Sequence, residues 1–166
     1  EVDKLLETSD SDLNILYNIA SGCEALRVTA GGFKVNKREV MVVLKEDGEL
    51  GLVEMDENAP GHSLIGEMMV LCNQFIADFA IKHNIPIVFR GQPPSEAPDQ
   101  SVLEKIPQGP ARDYAIRTTL KPSSLSFDPI PHSTLGIAAY TQATSPIRRY
   151  LDLCNQRQIL WFLRHG

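Results

Sequence analysis

The chain has little of several things, and each shortage closes off a class of protein. Cysteine occurs three times in 166 residues, at Cys23, Cys72 and Cys154, which lie far apart. No C-x-x-C spacing exists, so neither a zinc ribbon nor a disulfide scaffold is supported. Small buried thiols in a reducing compartment are expected instead, which means the cytoplasm or the stroma or matrix of an organelle. No apolar run approaches the roughly 20 residues that span a bilayer, so no transmembrane segment and no membrane partner are expected. Gly-rich phosphate fingerprints, regular βαβ alternation, internal repeats and low-complexity stretches are also missing. The opening, EVDKLLETSD, carries neither a Met nor a signal-like apolar stretch and reads as cut from something longer.

What is present describes one globular domain. Hydrophobic residues make up 43% and charged residues 22%, enough to bury a core and too apolar for disorder. The net charge of −5 points away from nucleic acid, but it is unevenly placed. Residues 1–62 hold 13 acids and 6 bases, whereas from Ala111 onward there are 7 bases and 3 acids. Only the C-terminal third has a basic tendency.

Apolar residues recur near a 3.6 period over residues 11–28, which predicts an amphipathic helix stopped by Gly31 and Gly32. Two aliphatic runs at 39–45 and 49–55, broken by Asp47-Gly48, predict a hairpin. The longest helical pattern, over 63–84, puts Ile65, Met68, Met69, Cys72, Phe75, Ile76, Phe79 and Ala80 on one broad face. A short buried strand at 85–90, a Pro-rich loop at 91–100, short helices at 99–105 and 110–119, and a helix from Pro146 to about Arg164 complete the reading. The fold class is α+β: a mixed or antiparallel sheet carrying the 39–55 hairpin, with the 63–84 and 146–164 helices packed on it.

Chemistry concentrates at the start of the last helix, in YTQATSPIRRYLDL. Ser145 suits an N-cap and Pro146 the first helical position. Arg148 and Arg149 then fall in the first turn, where the helix dipole disfavours positive charge. Asp152 is the only acid between Tyr140 and Arg157, and it can pair with only part of this charge. Free N–H groups, the hydroxyls of Thr144 and Ser145 and two guanidinium forks describe an anion site, most naturally for phosphate. Pairing of both arginines with carboxylates elsewhere in the fold is the open alternative. Tyr140 and Tyr150 flank the site and could stack on bases, against a core reading for both, in which Tyr150 lies on the apolar face with Ile147 and Cys154.

These residues resemble the signature of the ribonuclease II family, Y-x-x-x-TSPIRRY-x-DL-x-x-x-R, which ends here at Arg157. LIGEMMVLCN is similar to that family's LIEEFMILAN helix, IPIVFRGQPPSE to its P-x-x-YR-x-H-x-PP segment, and PHSTLGIAAY to its GHFGLA approach. The resemblance implies magnesium-dependent 3′→5′ hydrolysis of single-stranded RNA to nucleoside 5′-monophosphates. It maps the arginine that reaches the scissile phosphate onto Arg148, and an acid near the 3′ nucleotide onto Glu67. Arg149 is left as structural or as a contact to a neighbouring phosphate; with Tyr140, Thr144 and Ser145 it completes the expected RNA-binding set. Gln142 and Ala143 stand where the family has His-Phe, Gln92 where it often has His, and Gly66 where it often has a second Glu.

The family's metal site is a cluster of aspartates spaced D-x-x-x-x-x-D-x-D-D. No such spacing occurs in this sequence. Asp3, Asp10 and Asp12 are the nearest approach, and they read as solvated surface charge. The Mg2+ ligands are therefore not expected in this chain. Residues 1–166 read as a single unit, the C-terminal part of a ribonuclease II-type catalytic domain whose metal-binding half lies upstream or on another chain. Such a piece is expected to be inactive alone and to expose apolar surface. The alternative is a non-catalytic RNA-binding or regulatory protein that keeps the fold.

Overall fold

In the computed structural model, residues 3, 6, 11–32, 39–45, 47–55, 59–95, 100–107 and 109–166 are described. The elements are α1 (Ser11–Thr29), β1 (Glu39–Leu44), β2 (Leu50–Met55), α2 (Pro60–Lys82), β3 (Phe89–Gly91), α3 (Gln100–Glu104), α4 (Pro110–Thr118), β4 (Ser124–Ser126), a 3-10 turn (Ser133–Leu135) and α5 (Tyr150–His165). The architecture is α+β, as expected, with the strands in two separate antiparallel ribbons.

The first ribbon is the expected hairpin. β1 and β2 pair in register from Glu39↔Met55 to Leu44↔Leu50. Gly48, at φ 83°, supplies the left-handed residue that lets the chain reverse, and its N–H donates to the Lys45 carbonyl. The second ribbon pairs β3 with β4 over three residues.

The core lies elsewhere than expected. Ala77 and Ala80 of α2 pack against Ile85, Ile87 and Phe89, with Ala139, Ile159 and Phe162 around them. Two small alanines on one helix face let the extended 85–89 segment approach closely, so the core forms between α2, that segment and α5. Among the described residues the hairpin lies outside this core, its Val42, Leu44, Leu50 and Leu52 being 62–75% exposed. The expected apolar face of α2 also rotates: Ile65, Cys72 and Phe75 are exposed, while Leu64, Asn73, Ala77 and Ala80 are buried. Cys23, Cys72 and Cys154 are free thiols, Cys72 exposed rather than buried.

By length and composition α2 has the character of a membrane-crossing helix. Its buried polar residue is committed to the fold, however. Asn73 is 2% exposed and hydrogen-bonds the 140–144 segment, and Asp3 accepts the Gly61 N–H at 2.6 Å at its N-terminus. Asp3 is therefore a helix cap rather than solvated charge.

Candidate functional site

Residues 140–145 form no helix or long strand, so their backbone groups need other partners. Side chains from both long helices supply them. From α2, Asn73 accepts the Ala143 N–H at 2.9 Å and donates to the Tyr140 hydroxyl at 2.9 Å. From α5, Asn155 donates to the Gln142 carbonyl at 3.0 Å and the Thr141 hydroxyl at 2.9 Å, while its Oδ1 accepts the Val88 N–H at 2.8 Å. Gln156 donates to the Ala143 carbonyl at 2.5 Å, and β3 donates the Arg90 N–H to the Tyr140 carbonyl at 2.8 Å. The segment is thus clamped from three sides, and the clamp aims the residues immediately after it.

Those residues, 145–149, make a single turn that is not yet helix. The N–H groups of Arg148 and Arg149 both donate to the Ser145 carbonyl, at 3.3 and 3.0 Å. Arg149 is then extended, at φ −126° and ψ 109°, and stands as the N-cap of α5. The expected start at Pro146 is corrected to Tyr150, and Ser145 is not the cap. The physical reason is Asp152, whose carboxylate sits in the first turn of α5, where the dipole favours it. Its Oδ2 accepts the Ser145 N–H at 2.8 Å and folds the preceding turn back over the helix end.

The two arginines part company here. Arg149 donates Nε and Nη2 to Asp152 Oδ2, at 3.0 and 2.7 Å, and Nη2 lies 3.4 Å from the Thr144 hydroxyl. Asp152 is 1% exposed, so this pair is largely withdrawn from water. Arg148 is exposed and makes no ion pair among the described residues; its nearest partner is Ser145 Oγ at 3.5 Å. Ile147 is fully exposed beside it and Tyr150 is 77% exposed. Tyr150 therefore offers its ring to solvent, outside the core.

Tyr140 does the opposite. It is 6% exposed, its ring meets His132 edge-on at 5.5 Å, and its hydroxyl accepts from Asn73. The expected stacking platform at Tyr140 is thus turned inward and offers no open face. Burial pushes its phenol above the ordinary tyrosine range, against the opposing pull of the Asn73 hydrogen bond and nearby Arg149, Arg90 and Arg27. His132 is held below the usual histidine range by burial and by the Arg90 charge.

The departures from the family pattern have structural uses. Gln142 accepts from Arg90 Nη1 at 3.1 Å, and Ala143 is 2% exposed. Gln92 is buried, donates to the Lys121 carbonyl at 2.7 Å and accepts from the Thr134 hydroxyl.

Glu67 lies six residues before Asn73 on α2, about 9 Å along the axis at 1.5 Å per residue. It is not a solvated helix residue. Arg27 of α1 grips both of its oxygens, with Nε donating to Oε2 at 3.2 Å and Nη2 to Oε1, while Nη1 donates to the Leu135 carbonyl at 2.9 Å. Sequence pattern does not single out Arg27, which has no local signal because its partners stand 40 and 108 residues away.

No group of three or more His, Cys, Asp or Glu among the described residues is arranged to hold a metal ion. Asp3 serves the helix cap, and Asp10 lies outside the described residues. The described residues do not fit a magnesium site.

The family model described as RNB domain matches residues 1–165, and the chain belongs to that family. An uncharacterized ribonuclease of Synechocystis sp. is 33% identical over 167 residues, covering 99% of this chain and 25% of the relative. The chloroplastic/mitochondrial ribonuclease II of Arabidopsis thaliana is 41% identical over 130 residues, covering 76% and 16%. The chain thus spans a quarter or less of these curated relatives.

Among solved structures, the Dss1 exoribonuclease of Candida glabrata, an active-site mutant, superposes with TM-score 0.78 at 26% identity, covering 99% of this chain and 23% of that one. Mycoplasma genitalium RNase R in complex with ribose-methylated single-stranded RNA superposes at 0.71 and 21% identity, covering 92% and 29%. Yeast Ssd1, described as a pseudonuclease, shares the fold at 0.62 and 19% identity, covering 96% and 24%.

Proposed function

We propose that this chain is the phosphate-side part of a 3′→5′ exoribonuclease active site acting on single-stranded RNA, with Arg148 contacting the scissile phosphate. One observation carries the reading: of two adjacent arginines, Arg149 is neutralised by buried Asp152 while Arg148 stands exposed on a clamped turn, with no carboxylate partner among the described residues. A guanidinium so placed can give two N–H donors to non-bridging phosphoryl oxygens and stabilise charge as the P–O bond breaks. Ser145 Oγ lies within reach of the same anion. Arg149 acts by fixing the turn, and Thr144 by receiving Arg149 Nη2. Glu67, gripped by Arg27, faces the ribose hydroxyls of the RNA 3′ end in this reading.

The described residues supply no metal ligands, so magnesium and the activated water of the reaction belong to residues outside them, in a metal-binding half of the domain supplied in cis or by another chain. The test is release of nucleoside 5′-monophosphates from a 3′-hydroxylated oligoribonucleotide by the native protein, with and without Mg2+. Magnesium-dependent release supports the reading. Salt-sensitive RNA binding with no release at any Mg2+ concentration would establish the second reading, a non-catalytic RNA-binding protein, for which the pseudonuclease with this fold is the precedent.

A further inference from the structure

Glu67 stands between two surface clefts, and Arg27 lines one of them with it. On one side, about 270 Å³ of space is walled by Leu26, Val70, Leu71 and Phe75 and closed by Gly136. On the other, about 220 Å³ is bordered by Tyr17, Ser21, Glu24 and Ser63. Glu67 lines both clefts.

The pair is well shielded, with side-chain exposures of 16% for Arg27 and 12% for Glu67. A carboxylate has about four lone-pair directions, and Arg27 occupies one on each oxygen. Among the described residues nothing else occupies the others, which face a ligand. Because Nη1 of Arg27 also holds the Leu135 carbonyl, its guanidinium is triangulated between α1, α2 and the 133–135 turn. Backbone contacts lock the same junction. The Gly32 N–H donates to the Arg27 carbonyl at 2.8 Å, and Gly136 packs against that carbonyl so closely that a Cβ there would overlap it. Glu67 is therefore held in one orientation by a rigid three-element junction. Rigid carboxylate acceptors beside an apolar wall suit a ligand carrying a hydroxyl pair next to a flat apolar ring, which is the terminal nucleoside of an RNA strand.

We propose that Arg27 is a positioning residue that sets selectivity for ribose over deoxyribose at the RNA 3′ end, by fixing the carboxylate of Glu67 toward the sugar hydroxyls. This rests on the proposed role of Glu67 at the ribose hydroxyls. Arg27 itself need not touch RNA. Its planar fork is what matters, because a lysine at this position keeps the charge but cannot hold both oxygens and the Leu135 carbonyl in one plane.

The test compares the native protein with its Arg27→Gln, Arg27→Lys and Glu67→Gln variants. Substrates are an oligoribonucleotide and the same strand ending in a 2′-deoxynucleotide. The parent is expected to prefer the ribose end through KM by about tenfold, the low end for a single hydrogen bond to a charged group. Arg27→Gln is expected to erase most of that preference by raising KM for the ribose end alone, with kcat on the deoxy end unchanged. Arg27→Lys should fall between them, and it carries the test if Arg27→Gln does not fold. Loss of preference in Glu67→Gln with full retention in both Arg27 variants would overturn the proposal while leaving the Glu67 reading intact. Retention in all three variants would overturn both. Equal losses on both substrates in the Arg27 variants would overturn it too, reducing Arg27 to a structural residue.

Discussion

Asp152 Oδ2 accepts two hydrogen bonds from Arg149, at 3.0 and 2.7 Å, and a third from the Ser145 backbone at 2.8 Å. One buried oxygen thus neutralises one arginine, fixes the turn that displays the other and marks the start of α5. Arg149→Ala would leave Asp152 buried with only the Ser145 N–H. A loss of about 3 kcal/mol is expected from breaking a buried pair on one side, read as a lower urea midpoint with unchanged slope. The double variant Arg149→Met/Asp152→Asn, which keeps an acceptor for Ser145 and removes both charges, should recover most of it.

Asn155 satisfies three separate backbone groups, the Val88 N–H, the Val88 carbonyl and the Gln142 carbonyl. Replacing it with Ala orphans the Val88 N–H and the Gln142 carbonyl at a site that is 2% exposed, while the Val88 carbonyl keeps the Thr141 hydroxyl at 2.6 Å. The expected cost is about 2–4 kcal/mol, whereas Tyr140→Phe, which removes a single hydroxyl acceptor, should cost about 1 kcal/mol. Comparable losses in the two variants would contradict the clamp described for residues 140–145.

Gly136 and Gly31 both sit at positive φ, 66° and 94°. Only Gly136 is crowded, by the Arg27 carbonyl, while a Cβ at Gly31 meets open space. Gly31→Ala should cost about 1 kcal/mol through strain alone. Gly136→Ala adds the overlap and should lower the melting temperature clearly further.

The folded protein holds His132 below the usual histidine range, so the unfolded chain binds the proton more readily. That contribution to stability is present above the unfolded value near 6.5 and is lost as the pH falls through the lower folded value. Thermal midpoints should decline on acidification below pH 6.5, and His132→Phe should flatten the decline. A steeper decline in the variant would mean that the folded state binds the His132 proton more tightly, not less.

The hairpin, the long α2 helix and the signature turn are all legible in local pattern, because turn residues and periodicity act over a few positions. The start of α5 is misplaced by pattern alone because Ser145-Pro146 is a strong helix-start signal. The competing signal is Asp152, which is the third helical residue when Arg149 is the cap, a favoured place for an acid. Tyr150 leaves the apolar face expected for it with Ile147 and Cys154 for the same reason, since a separate turn before the helix rotates every later side chain. Arg27 is illegible, as its partnership with Glu67 exists only once α1 and α2 are packed. The alternate apolar stripes of α2 carry period but not direction: burial is decided by where Ala77 and Ala80 allow the 85–89 segment to approach.

The central claim is that Arg148 serves the chemical step and Arg149 the architecture. Arg148→Ala in the native protein, assayed on 3′-hydroxylated single-stranded RNA, tests it most directly. The account predicts a fall in kcat of about 100- to 1,000-fold, the scale of losing one preorganised donor, with RNA affinity and melting temperature nearly unchanged. Equal losses in turnover and affinity, or unchanged turnover, would contradict it.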